Sequence, residues 1–256
     1  MELACNSYSL KTCTRSQAFR LMRRLGFSAV ELWAGHVRDA EGEPGEIAEE
    51  AREQGLELRA YCAGGLFDLP PHEVARRLDR AIEIASGLGV DLVTGIVDRS
   101  SLGLVDRACS VARMRFAIEN HWYAEIAKPA DYEALASCSP AVGVNIDTGH
   151  FAFLGCDLIE VAERLGARTF NVHLKAVRPP GRIGLWRRRL NRAYRMDAAL
   201  PGEGDGLNGF VAALRHTGYA GMLAIEHEAA ELSLHDLEQW VARGLELTSV
   251  EHTEAA

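Results

Sequence analysis

The apolar residues of this chain recur with two alternating patterns: short β-like runs and longer stretches with helical spacing. Several short runs are apolar almost throughout, such as DLVTGIV, which is typical of parallel strands covered on both faces. The pattern predicts eight strands, at residues 2–7, 29–33, 56–62, 91–97, 115–120, 142–147, 169–175 and 221–226.

A stretch with helical spacing follows each of the eight predicted strands, directly or after a loop. Thr14 opens the first helix, with Gln17 three residues later in a capping-box pattern, and Gly26 ends it. Pro70 and Pro71 open a longer one. The predicted helices span residues 14–25, 44–54, 71–87, 101–113, 129–137, 156–165, 207–217 and 233–247.

Eight strand-then-helix units in 256 residues predict an α/β fold, a single-domain (β/α)8 TIM barrel that spans residues 1–256. A doubly wound open sheet is the structural alternative. A sheet of that kind that binds nucleotides usually has a glycine-rich first turn, and the segment CNSYSLKTCT contains no glycine. The barrel is therefore favoured.

Composition and charge exclude several classes of protein. The formal net charge of −8 argues against a nucleic-acid partner. The N-terminus has no signal-peptide pattern and no run of 18 apolar residues is present, which argues against a membrane partner. The six cysteines form no CxxC pair, which indicates reduced thiols in a cytoplasmic protein.

Acidic and imidazole side chains lie at the ends of the last four predicted strands. Glu119, Asp147, His173 and Glu226 each end one strand of this consecutive set. In a TIM barrel the chemistry takes place at the C-terminal ends of the strands. Any one of these residues alone is more often a salt-bridge or hydrogen-bond partner, but four together indicate a metal site.

Two glutamates, one aspartate and one histidine form a hard, oxygen-rich ligand set. Such a set suits one six-coordinate divalent ion, Mn²⁺ above all, with Mg²⁺, Co²⁺ or Zn²⁺ as alternatives. Two coordination positions would remain for vicinal oxygens of a small polyhydroxylated substrate. The metal would polarise a carbonyl and stabilise the enediolate, while carboxylates remove and return the proton.

Five segments of the chain carry a resemblance to a known family. The chain resembles the xylose isomerase-like TIM barrel superfamily, which includes tagatose 3-epimerases, hydroxypyruvate isomerases, inosose dehydratases and the endonuclease IV type of apurinic-site nuclease. The resemblance rests on GFSAVELW, FAIENH, NIDTGH, NVHLK and PGEGDGLNGFVAALRHTGYAGMLAIEHE, and covers almost the whole chain. It implies a metal-dependent isomerase or epimerase of a sugar or a related polyol.

The resemblance also implies roles for individual residues. The four strand-end residues would ligate the metal. Glu119 and Glu226 would also form the acid/base pair, as the corresponding residues do in the epimerases. His150, three residues after the aspartate, corresponds to a position that binds a substrate oxygen. Glu31, in VELW, corresponds to a carboxylate near the substrate, with a hydrogen-bonded strand-end acid as the alternative. Lys175, in NVHLK, is a further predicted substrate contact.

Three aromatic residues, Tyr8, Trp33 and Trp122, are predicted either to wall the pocket against a sugar face or to pack in the core. Two features depart from the family pattern. Ala176 stands where an acid often follows the HLK segment, and residues 178–195 contain seven arginines. That stretch is interpreted as a lid that holds an anionic group, as a subunit interface or as a solvated basic helix.

Several functions remain open at this stage. A keto-polyol dehydratase would use the same metal and the same first proton abstraction. A non-catalytic sugar-binding barrel is a third candidate. The nuclease is disfavoured, because CAGGLFDL, GIVDRS and LWRRRL lack the additional histidine ligands of that branch. The family resemblance also implies a homodimer or homotetramer.

Overall fold

A computed structural model of the chain describes residues 1–38, 43–177, 198–202, 206–228 and 233–249. It contains eight strands that form one sheet. They are β1 Glu2–Asn6, β2 Ala29–Trp33, β3 Glu57–Leu66, β4 Leu92–Val97, β5 Arg115–Glu119, β6 Val142–Asp147, β7 Thr169–Leu174 and β8 Met222–Ile225.

The eight strands close into a barrel in the order β1–β8–β7–β6–β5–β4–β3–β2, so each strand pairs with its neighbours in sequence. All eight pairings are parallel, and β1 closes on β8 with Cys5 opposite Ile225. The register also pairs Asp147 with His173 across β6 and β7. The predicted (β/α)8 TIM barrel is confirmed, and its parallel arrangement brings all the strand C-termini to one rim.

Helices surround the barrel. They are α1 Arg15–Arg24, α2 Ala34–Arg38, α3 Pro44–Glu53, α4 Pro71–Leu88, α5 Leu102–Ala112, α6 Thr148–Phe153, α7 Leu158–Leu165, α8 Leu207–His216 and α9 Leu234–Ser249. The predicted capping box of α1 is confirmed, because Thr14 accepts from the Gln17 backbone N–H and Gln17 accepts from that of Thr14. In the described part of the chain, no helix has the combination of length and apolar character needed to cross a membrane.

The segment Pro129–Ser137, predicted as an α-helix, is a 3-10 helix. Arg168 explains part of this difference, because its guanidinium donates to the carbonyl oxygens of Leu135, Cys138 and Ser139 at 2.6–2.9 Å. An α-helix would instead use the Leu135 carbonyl to accept from the Ser139 N–H, which here donates to Asp106. Arg168 therefore acts on the C-terminal end of this segment, where the Leu135 carbonyl also accepts from the Cys138 N–H at 2.9 Å.

Short elements that were not predicted include helices α2 and α6 and an antiparallel pair in which Ala176–Val177 faces Ala198–Ala199. The pair falls between the predicted strand 169–175 and the predicted helix 207–217, where no element was predicted. The arginine-rich stretch 178–195, interpreted as a lid, an interface or a basic helix, lies outside the described residues.

Side chains that point into the barrel form an apolar layer beneath a polar one. The apolar layer contains Ala4, Ala29, Ala117 and Ala224, all with 0% exposure. Two residues further along the same strands, the inward positions are Asn6, Glu31, Glu119 and Glu226. The alanine side chains fill the barrel interior below the polar layer, and the buried polar groups lie at the C-terminal rim.

Candidate metal centre

The barrel brings the four predicted ligands together. Glu119 ends β5, Asp147 ends β6, His173 lies one residue before the end of β7, and Glu226 follows β8. Nδ1 of His173 lies 3.4 Å from Glu226 Oε2, 3.8 Å from Glu119 Oε2 and 3.9 Å from Asp147 Oδ2. Donors at about 2.1 Å from one octahedral ion are separated by roughly 3–4 Å. Ligand atoms of Glu119, Asp147 and His173 lie within 4.8 Å of one another and suit a single divalent cation, and Glu226, outside that group, approaches it through His173 Nδ1.

These carboxylates are almost completely removed from water, with side-chain exposures of 9% for Glu119, 0% for Asp147 and 7% for Glu226. Burial, followed by repulsion from Glu226, raises the pKa of Glu119 to about 8. Burial alone would also raise the pKa of Glu226, but His173 and Lys175 outweigh it and hold that pKa well below its ordinary value. The environment thus favours a protonated Glu119 and an ionised Glu226.

Glu31 supports His173 from inside the barrel. Its carboxylate has 0% exposure and lies 2.8 Å from His173 Nε2. Thr94 and Asn171 also donate to it, at 2.5 and 3.0 Å. An Nε2–H that donates to Glu31 leaves Nδ1 to face the three carboxylates, which is the carboxylate–histidine arrangement of many metal sites. Glu31, predicted as a substrate contact, thus contacts a predicted ligand.

Buried asparagines surround the same imidazole. Asn6 Nδ2 lies 3.1 Å from Glu226 Oε1 and 3.3 Å from His173 Nε2. Asn145 Nδ2 lies 3.2 Å from both ring nitrogens of His173. These asparagines, together with Asn171 and Thr94, were not predicted as site residues. The two-residue alternation of strands could have found Asn145 and Asn171, because each lies two positions before a predicted ligand.

Lys175 reaches into the centre of the carboxylates. Its Nζ lies 2.6 Å from Glu226 Oε2, 2.7 Å from Asp147 Oδ2 and 2.9 Å from Glu228 Oε1. Burial alone would lower the pKa of Lys175, but Asp147, Glu226 and Glu228 outweigh it and raise that pKa well above its ordinary value. The predicted substrate contact is therefore a charged ammonium that directly contacts two predicted ligands.

His150 lies on the other side of Glu119. Its Nε2 is 3.5 Å from Glu119 Oε1, 3.5 Å from Asp147 Oδ2 and 3.4 Å from Lys175 Nζ. The ring also lies against His121, with centroids 4.1 Å apart. Burial and then the facing imidazole lower the pKa of His121 to about 2, and burial lowers that of His150 as well. His121 was not predicted as a site residue, although the quoted FAIENH segment contains it.

The predicted aromatic residues lie at separate places on the rim. Trp33 packs edge-on against Tyr8 at 5.1 Å, and it borders a cavity of about 810 Å³ beside the end of β3. Trp122 packs against Phe153 at 5.5 Å and against Tyr123 at 5.1 Å. Both tryptophans therefore have aromatic neighbours at the end of the barrel that carries the metal centre.

The sequence profile of the xylose isomerase-like TIM barrel family matches residues 19–249. The chain belongs to this family. No curated protein matches the sequence. A solved fusion protein of a xylose isomerase-like TIM barrel and a 4-hydroxyphenylpyruvate dioxygenase is 19% identical, with a TM-score of 0.78. That match covers 96% of this chain, which spans 42% of the fusion protein.

Three other members of this fold are matched over nearly their whole length. The probable 3-DHS dehydratase AsbF from Bacillus anthracis is 12% identical, with 98% and 100% of the two chains covered and a TM-score of 0.77. The IolI protein with a bound zinc atom is 18% identical, with 99% and 100% covered and a TM-score of 0.76. An L-ribulose 3-epimerase is 16% identical, with 99% of each chain covered and a TM-score of 0.68.

Proposed function

We propose that this protein is a divalent-metal-dependent isomerase or epimerase that acts on a small polyhydroxylated substrate. The observation that carries the proposal is the convergence of His173 Nδ1 with three carboxylate oxygens, at 3.4–3.9 Å, at the rim where barrel enzymes perform chemistry. Three oxygens and one nitrogen favour Mn²⁺, with Mg²⁺, Co²⁺ and Zn²⁺ as alternatives. The zinc atom in the IolI structure and the epimerase among the structural neighbours support this choice of chemistry.

A divalent ion at this position supplies Lewis-acid polarisation of a substrate carbonyl. Four protein donors leave about two positions of an octahedral shell for substrate oxygens. The buried layer beneath the site, with Glu31 and Asn6, fixes the orientation of His173. The imidazole is therefore already oriented to present Nδ1 to the ion.

Glu119 and Glu226 move the proton in this proposal. Each carboxylate directs one oxygen toward His173 Nδ1, while its other oxygen makes a different contact: Glu119 Oε1 lies near His150, and Glu226 Oε1 accepts from Asn6. One carboxylate removes the proton from the carbon next to the carbonyl, and the other returns a proton to the neighbouring carbon or the opposite face.

His150 and Lys175 orient the substrate in this proposal. Both have polar nitrogens close to the acid/base pair, because His150 Nε2 lies 3.5 Å from Glu119 and Lys175 Nζ lies 2.6 Å from Glu226. Hydroxyl oxygens of a polyol are suitable partners for these donors. Trp33 and Trp122 are the proposed apolar walls against the carbon face of the substrate.

Solvent-exchange measurements test this function. The Mn²⁺-loaded protein is incubated in D₂O with a panel of ketoses, aldoses and inososes, and NMR follows deuterium at carbons next to the carbonyl. We expect metal-dependent exchange that Glu119→Gln or Glu226→Gln lowers by at least about 100-fold. Glu163→Gln, on the exposed face of α7, is the matched control and keeps full activity. A protein that binds Mn²⁺ but exchanges no member of the panel would contradict the proposal.

A keto-polyol dehydratase is the second candidate, favoured by the fold similarity to the probable 3-DHS dehydratase AsbF. The same first proton abstraction would then be followed by departure of a β-hydroxyl, which must gain a proton. The carboxylic acid formed by that first proton abstraction is a suitable proton donor to the departing oxygen. An enone absorbance that grows with turnover identifies the dehydratase, and exchange or epimerisation without enone identifies the isomerase.

A further inference from the structure

The ammonium of Lys175 contacts two of the oxygens that the proposed ion requires. Asp147 Oδ2 and Glu226 Oε2 both face His173 Nδ1, at 3.9 and 3.4 Å, and the same two atoms lie 2.7 and 2.6 Å from Lys175 Nζ. A divalent ion and an ammonium on shared oxygens repel each other strongly in a buried site. The affinity of the proposed site for the ion therefore depends on the position of the Lys175 ammonium.

The rest of the Lys175 side chain is held in place. Its backbone N–H donates to Thr148 Oγ1 at 2.9 Å, and Thr148 Oγ1 donates to its carbonyl oxygen at 2.8 Å. The aliphatic stem packs directly on Gly149, where an added Cβ would lie 2.7 Å from Lys175 Cγ. Only the end of the side chain is left to adjust its position.

Glu228 provides a carboxylate outside the ligand set that the ammonium also contacts. Its Oε1 lies 2.9 Å from Lys175 Nζ and 3.9 Å from His150 Nε2. Its side chain is 26% exposed, whereas those of Asp147 and Glu226 are 0% and 7% exposed. An ammonium that contacts Glu228 alone would lie nearer the exposed side of the site and would retain a charge-assisted hydrogen bond.

We propose that Glu228 is a positioning residue that retains the Lys175 ammonium when a divalent ion displaces it from Asp147 Oδ2 and Glu226 Oε2, and thereby sets the affinity of the centre for that ion. This inference rests on the proposed function, because it requires the four-residue metal site. It assigns Glu228 no direct contact with the ion. The effect of Glu228 is transmitted through Lys175, so it disappears when the ammonium is removed.

A double-mutant cycle on Mn²⁺ binding tests this coupling. Isothermal titration calorimetry measures the Mn²⁺ dissociation constant of the wild type, Glu228→Gln, Lys175→Met and the double variant. We expect Glu228→Gln to weaken Mn²⁺ binding about tenfold in the wild-type background and less than about twofold beside Lys175→Met. Lys175→Met alone strengthens binding. If that variant does not fold, Lys175→Gln removes the charge and retains a polar end.

Glu163→Gln makes the same change of net charge on the exposed face of α7 and is expected to leave the Mn²⁺ dissociation constant unchanged. An equal loss of affinity from Glu228→Gln in both backgrounds would show that Glu228 acts on the ion directly, and no loss in either would show that it does not act at all. Both results overturn the inference but leave the proposed function intact. A wild type that binds no Mn²⁺ overturns both.

Discussion

The carboxylate of Glu31 lies 2.8 Å from Nε2 of His173, although 142 residues separate the two in sequence. The pair joins β2 to β7 through the interior of the barrel. Burial alone would lower the pKa of His173, but Glu226 and Glu31 outweigh it and raise that pKa well above its ordinary value. This end of the barrel therefore attracts positive charge to Nδ1, either as a proton or as a metal ion.

Replacement of Glu31 tests its support of the metal centre. We expect Glu31→Gln to weaken Mn²⁺ binding by about 10- to 100-fold, because the neutral amide no longer fixes the Nε2–H tautomer of His173. Calorimetry gives the dissociation constant, and ¹⁵N NMR of the imidazole reports the tautomer. Thr94→Val, which removes only the donor to the other Glu31 oxygen, is the control and has a smaller effect. Unchanged affinity in Glu31→Gln would refute the role.

Substitution of glycine by alanine is expected to change the free energy of unfolding in opposite directions at two positions. A Cβ at Gly95, in β4, would lie 2.7 Å from the carbonyl oxygen of Gly64 in β3. Backbone cannot move aside easily, so we expect Gly95→Ala to lower the free energy of unfolding by about 1–3 kcal/mol. At Gly103, in α5, the nearest atom is a flexible Arg107 nitrogen at 3.4 Å.

Gly103→Ala is therefore expected to raise the free energy of unfolding by about 0.5–1 kcal/mol, because alanine loses less backbone entropy in a helix. Urea unfolding at neutral pH measures both variants. A loss of stability in Gly103→Ala as large as that in Gly95→Ala would contradict the steric explanation.

The cysteines are predicted to differ in reactivity. Burial raises the pKa of Cys5, Cys62 and Cys109 to about 12, so their thiolate fraction at pH 8 is negligible. We expect the native protein to show no more than three reactive thiols toward a disulfide reagent and all six after denaturation. The three partly exposed thiols are those of Cys13, Cys138 and Cys156. Rapid reaction of six thiols in the folded protein would disprove this.

A surface carboxylate gives a pH-dependent prediction. Hydrogen bonds from Arg76 and then Arg77 lower the pKa of Glu73 from 4.5 to about 2. Because the folded pKa lies below the unfolded one, the contribution of Glu73 to stability is present above about pH 4.5 and is lost as the pH falls toward 2. Glu73→Gln is therefore expected to lower Tm at neutral pH, with a difference from wild type that shrinks on acidification.

Thermal unfolding at several pH values measures this difference. The matched control is Glu83→Gln on the same helix, which removes a single 3.2 Å contact with Arg80. A Tm difference between Glu73→Gln and wild type that stays constant from neutral to acidic pH would rule out the ion-pair explanation.

The local pattern of the sequence was sufficient for most of the barrel. The predicted 29–33 and 142–147 strands coincide with β2 and β6, because apolar residues predominate in both segments. The capping signals around Thr14 and Pro71 also set the starts of α1 and α4 correctly. Helix α6 was missed because it begins directly at a strand end, where the Asp147 side chain accepts from the His150 backbone N–H.

Periodicity along the chain was enough to predict the fold and to name the strand-end donors, since parallel strands place their C-termini on one rim. The contacts of each donor could be read only from the folded barrel. Glu31 approaches His173, and Lys175 lies among Asp147, Glu226 and Glu228. Which side chains meet across a barrel depends on closure, shear and the tilt of the strands. These quantities arise from the packing of all eight strands together, so no local stretch of sequence contains them.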